Sequence, residues 1–133
     1  MSETFRSDLG KLILRIAVGG LMLFHGVHKL ISGHEHIAKM LSNAGLPTFL
    51  QYGVPVGEVL APILIILGIL TAPSALVIAF TMLFSIYLAY GEKLFTLNAY
   101  GGWAPELNVL FMFAAISISL IGPGRLKVPI NLK

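Results

Sequence analysis

The sequence predicts an all-α integral membrane protein, a four-helix bundle with a short amphipathic surface helix between its first and second helices. Hydrophobic residues make up 56% of the chain and charged residues 11%, whereas a soluble globular chain carries about 25% charged residues. The mean hydropathy of +0.88 agrees with that imbalance. Apolar runs cover Leu9 to Ile31, Val54 to Leu70, Pro73 to Tyr90 and Pro105 to Ile121. At about 1.5 Å per helical residue, each comes close to or exceeds the roughly 30 Å hydrocarbon core of a bilayer. The last two are at the short end of that range, so little tilt is expected of them. Backbone groups in lipid must find partners within their own segment, which makes these runs helices; a barrel would need many alternating strands of about ten residues. At 133 residues the chain reads as a single domain, 1–133.

The elements follow in order. Arg6, Lys11 and Arg15 precede an apolar run from Ile16 to Phe24, as in a signal peptide. His25-Gly26-Val27-His28-Lys29 follows, with no small-x-small cleavage site, so the run is expected to be an uncleaved first span. Ser32-Gly33-His34-Glu35 has the S-x-x-E spacing of a capping box. Behind it Ile37, Met40, Leu41 and Ala44 share one helical face, and Gly45 with Pro47 supplies a stop. That pattern predicts a helix lying on the membrane surface. Only Thr71-Ala72 separates the second and third spans, and Pro73 suits a first helical turn, so these spans should be antiparallel neighbours. Gly91 to Ala104 leads into the fourth span, with Tyr87, Tyr90, Tyr100 and Trp103 placed for an interfacial aromatic belt. Ser117, Ser119, Ala114, Ala115 and Gly122 read as small packing positions.

With four spans, both termini share a side and bring Arg6, Lys11, Arg125, Lys127 and Lys133 to it. The opposite side has Lys29, Lys39 and Lys93 offset by Glu35, Glu92 and Glu106. The positive-inside rule then predicts cytoplasmic termini. A net charge of +3, scattered along the chain, forms no stripe able to follow a phosphate backbone, so no nucleic-acid partner is expected. Without cysteine the chain has no disulfide, thiolate metal site or CxxC pair, and electron transfer would need a bound cofactor or another subunit.

Charged groups at membrane depth cost roughly 2.5–3.5 kcal/mol on insertion scales, so each requires a reason. Arg15 is read first as snorkelling to cytoplasmic headgroups, with an interior ion pair or an anionic ligand as alternatives. His25 and Lys29 are four residues apart and share a face. His25, the deeper of the two, reads either as a hydrogen-bonded core histidine or as a functional one. It is the one histidine well inside a span, so no haem or metal site is expected within one chain. Glu58 carries the most information. Pro62, four residues on, removes a backbone donor and presses on the carbonyl of residue 58, so a kink should coincide with an ionisable carboxyl group. Gly57 permits close approach of another helix. Glu106 and Asn108 open the fourth span, where a carboxylate is favourable at a helix N-terminus. His25, Lys29, Glu58 and Asn108, with Glu106, all fall within a shallow layer at one end of the spans and are expected to line one ligand pocket.

Taken in order, Arg15, His25-Gly26, Lys29, Gly45-Leu46-Pro47, Gly57-Glu58, Leu67-Gly68, Trp103 with Glu106, and Gly122-Pro123-Gly124-Arg125 resemble the DoxX family. The resemblance runs from about Leu9 to Arg125. It departs in the tail, Leu126-Lys127-Val128-Pro129, and at Ala89-Tyr90-Gly91-Glu92, where many relatives have a histidine. It implies a multi-pass protein of the bacterial inner membrane, with Arg15, His25, Lys29, Glu58 and Glu106 as polar positions of the family pattern. DoxD relatives are membrane subunits of a thiosulfate:quinone oxidoreductase, and a DoxX protein is described with oxidative-stress enzymes in a membrane complex. The resemblance therefore implies an accessory membrane subunit that binds quinone or a small oxidisable substrate in a respiratory or oxidative-stress oxidoreductase system. The expected partners are the lipid bilayer, other membrane or oxidoreductase subunits, or further copies of the chain. A small-molecule or lipid carrier, and a membrane scaffold for a partner protein, are the competing readings.

Overall fold

In a computed structural model, which describes residues 1–130, the chain is all-helical, with no β-strand among the described residues. Helix α1 spans Glu3–Ser32, α2 Glu35–Asn43, α3 the continuous helical run Thr48–Leu67, α4 Thr71–Tyr90 and α5 Glu106–Ile121. Lys133, counted above among the basic residues of the C-terminal end, lies outside the described residues. By length and composition α1, α3 and α4 can each cross a membrane. Helix α5 is apolar but has 16 residues, about 24 Å at the α-helical rise.

Several boundaries differ from those read in the sequence. Helix α1 starts at Glu3, not Leu9, because the Ser2 side chain caps it, accepting from the Phe5 N–H at 3.1 Å. The expected capping box does not form: Ser32 is still helical, and His34 occupies the N-cap of α2 with no side-chain cap bond. The stop at Gly45 does form. Its φ is +74°, and Leu46 N–H bonds to the Leu41 carbonyl at 2.9 Å while Gly45 N–H bonds to Ser42 at 3.0 Å, a Schellman motif. Helix α3 ends earlier than expected, at Leu67, because Gly68 turns left-handed with φ +79°. Thr71 and Ala72, expected to be the turn, already belong to α4, and the reversal is Gly68 to Leu70.

Helices α1, α3, α4 and α5 close a ring in which α1 packs on α3, α3 on α4, α4 on α5, and α5 back on α1. Ile65, Ile78 and Ala115 sit fully enclosed at its centre, with Val18, Met22 and Phe111 around them. Phe24, Phe80, Leu110 and Leu120 point outward and are exposed. An apolar exterior of that kind suits lipid, where close packing of small residues such as Ala61, Ala75 and Ala79 does the work that water would do elsewhere. Gly26 shows how close the approach is, because a Cβ there would overlap the Glu58 carbonyl and the Val59 side chain, whereas one at Gly20 would meet nothing within 4 Å. Gly26→Ala is therefore expected to lower stability in detergent by about 1–3 kcal/mol, the usual cost of overpacking. Gly20→Ala should raise it by about 0.5–1 kcal/mol through helix propensity. Thermal unfolding of both variants checks the contrast, and equal behaviour would mean that α1 and α3 are not in backbone contact.

Candidate functional site

Pro62 cannot donate a backbone hydrogen bond, and the helix responds one turn earlier. Val56–Leu60 is a π-helical turn in which the Ala61 N–H reaches back to the Val56 carbonyl. The expected kink in α3 is thus a π turn, and it carries Glu58 inward to 3% exposure. Two glycines let neighbouring helices meet it. Gly57 faces Thr81 of α4, and Gly26 faces the Glu58 backbone from α1, as a Cβ at either position would collide there. Lys29, one turn beyond Gly26, is thereby delivered to the acid. Its Nζ donates to Glu58 Oε1 at 2.8 Å and Oε2 at 2.7 Å, with side-chain exposures of 34% for Lys29 and 4% for Glu58.

This ion pair lies where two cavities meet. One, of about 80 Å³, is lined by His25, Lys29, Glu58, Ser85, Asn108 and Phe111 among others. The other, of about 470 Å³, is an open groove between α2, α3 and α4, walled by side chains such as Ile37, Leu41, Val56, Phe80 and Phe84. Lys29, Glu58 and Ser85 line both. Four of the residues singled out in the sequence, His25, Lys29, Glu58 and Asn108, therefore share one small cavity. His25 is exposed, with its ring edge-on to Phe111 at 6.3 Å between centroids, and makes no hydrogen bond among the described residues. The core-histidine expectation does not describe it.

Glu106 is not part of that cavity. As the first residue of α5 it accepts from Asn98 Nδ2 at 2.9 Å, and Asn98 Oδ1 in turn accepts from the Tyr100 and Gly102 N–H groups at 3.0 Å. It organises the loop ahead of α5, a task suited to a carboxylate at a helix N-terminus. Arg15 does not snorkel either. It is 1% exposed and donates Nε to the Ile65 carbonyl at 2.8 Å and Nη2 to Ile66 at 2.8 Å, while Nη1 reaches Pro123 at 2.7 Å and Leu126 at 2.8 Å. Ending α3 at Gly68 leaves its last carbonyls short of donors, although Ile65 accepts from the Gly68 N–H at 3.2 Å. Arg15 takes two of them, and the Val128 N–H takes that of Leu67 at 2.9 Å.

Sequence reading missed two residues. Asp8, 6% exposed, accepts from Arg125 Nε at 2.7 Å and from the Arg125 N–H at 3.2 Å, tying the start of α1 to the C-terminal segment. Ser85 is the other: its hydroxyl accepts from Asn108 Nδ2 at 2.8 Å, whereas a serine in an apolar helix commonly bonds back to its own chain. A carboxylate just ahead of an apolar run was the available signal for Asp8; nothing local marked Ser85.

No solved structure matches the chain. The chain is similar to the Bacillus subtilis (strain 168) protein named "Putative oxidoreductase CatD", with 26% identity over 122 residues, which is 92% of this chain and 84% of that protein. The DoxX family matches residues 10–91, which include Arg15, the Lys29–Glu58 pair, Ser85 and the whole of α2 and α3. With more than half of its length matched, this membrane protein belongs to the DoxX family.

Proposed function

We propose that the chain crosses the bacterial inner membrane four times with both termini in the cytoplasm, as a ligand-binding subunit of a respiratory or oxidative-stress oxidoreductase system. A quinone or a small oxidisable substrate would sit against the Lys29–Glu58 pair. The observation that carries this reading is a hydrogen-bonded ion pair at the side of a 470 Å³ apolar groove, because binding sites for small molecules are apolar concavities with a few placed polar groups. Family membership and the name of the Bacillus subtilis relative support the association with redox chemistry.

Mass spectrometry of small molecules kept after gentle detergent extraction tests it. The wild-type protein should retain a defined molecule that Glu58→Gln loses, with unchanged folding, since Gln keeps the shape and removes the charge. Equal retention by the variant would place the site elsewhere. The topology has its own test. Reporters fused at Lys133 and within His34 to Asn43 should report opposite compartments, and the same compartment for both would remove one span.

The π turn favours a second reading, a small-molecule carrier, because interrupted helices beside buried polar groups mark transport sites. Substrate-dependent flux in proteoliposomes would support it, and its absence would leave the binding subunit.

A further inference from the structure

The hydrogen-bond inventory of the groove restricts the headgroup it can hold. A lysine ammonium carries three N–H donors, and Glu58 Oε1 and Oε2 take two of those of Lys29. One donor is left. The pair has no net charge, so an anionic head would have to compete with Glu58 for the ammonium and face the carboxylate at close range in a low-dielectric site. A cationic head would compete with Lys29 in the same way. A neutral acceptor takes the third N–H and leaves the pair intact.

Ser85 supplies a second donor. Asn108 Nδ2 donates to Ser85 Oγ at 2.8 Å, so that contact leaves the serine proton free. Thr81, one turn earlier on α4 and also on the groove wall, spends its proton on the Val77 carbonyl at 2.8 Å. Ser85 makes no such back-bond among the described residues. Ser85, like Lys29, lines both cavities where they meet.

We propose that Lys29 and Ser85 form a two-donor seat for the carbonyl oxygen of a neutral amphiphile, a ketone, ester or quinone, whose apolar tail lies in the groove. Asn108 is the positioning residue that keeps the Ser85 proton available. This rests on the reading that the groove holds a ligand, and adds that the head is neutral and accepts hydrogen bonds.

Two probes separate the possibilities on the intact chain in detergent micelles: methyl nonyl ketone, with an isotope-labelled carbonyl, and decanoate. The ketone should bind saturably, with its carbonyl stretch shifted to lower wavenumber relative to empty micelles. Ser85→Ala should weaken that binding about fivefold to tenfold, the worth of one hydrogen bond, and remove part of the shift. Asn108→Asp, whose carboxylate would accept the serine proton, should remove the same part of the shift. Decanoate binding that depends on Lys29 while the ketone does not bind, or ketone binding with an unchanged stretch in Ser85→Ala, overturns the seat but leaves the groove as a ligand site. If neither probe binds and the extracted wild-type protein retains no small molecule, the seat and the reading beneath it both fail.

Discussion

Replacing Arg15 by methionine should cost about 3–5 kcal/mol of stability, because four carbonyls at the end of α3 and in the C-terminal segment lose a charged donor together. The effect should be local as well as global. Residues 122–130 are held by Arg15, by the Asp8–Arg125 pair and by the Val128 N–H, so loss of the first should free this backbone for tryptic cleavage after the already exposed Arg125 and Lys127 before the helices unfold. Arg15→Lys should recover only part of the stability. A compact ammonium cannot fan its donors over two backbone segments as the planar guanidinium does. Thermal unfolding in detergent with limited proteolysis checks both points. A methionine variant within about 1 kcal/mol of wild type would show that water or lipid headgroups can replace the guanidinium, which its 1% exposure argues against.

The second large effect is an asymmetry in the Lys29–Glu58 pair. Lys29→Met leaves the carboxylate, with 4% of its side chain exposed, without its partner and should destabilise by roughly 3 kcal/mol. Glu58→Gln leaves a lysine with 34% of its side chain exposed, which can extend toward the interface, and should cost about 1 kcal/mol. The double variant should be more stable than Lys29→Met alone, since it no longer buries an unpaired charge. Denaturant titration of the three variants reads the order directly. If Glu58→Gln proved the more damaging single change, the acid would not be the enclosed member of the pair. The same asymmetry makes Glu58→Gln the suitable variant for the ligand-retention test, because it removes the carboxylate charge with the smaller structural cost.

The helices and the approximate positions of the spans were legible in the sequence, because a long apolar run in a chain with so few charges can satisfy its backbone only as a helix. The local signals at Pro62, Gly57 and Gly45 were also legible, since a missing N–H, a missing Cβ and a left-handed φ act within a turn of their own position. Helix spacing alone placed His25, Lys29, Glu58 and Asn108 at a common depth, and they do line one cavity.

Tertiary structure decided the rest, and in each case the deciding partner lies outside the residue's own helix. Depth does not specify angle around the bundle axis: Glu106 lies near Asn108 in sequence, yet it serves the Asn98 loop, because the loop's path determines which face of the first turn of α5 is covered. The role of Arg15 depends on where α3 ends and on carbonyls of residues 123 and 126, more than 100 positions later. Ser85 finds its hydrogen-bond partner only in Asn108 on the next helix. Periodicity in one helix says which residues share a face, but a hydrogen bond between helices needs the rotation and offset of both, and those are set by close contacts such as the glycines between α1 and α3 and between α3 and α4.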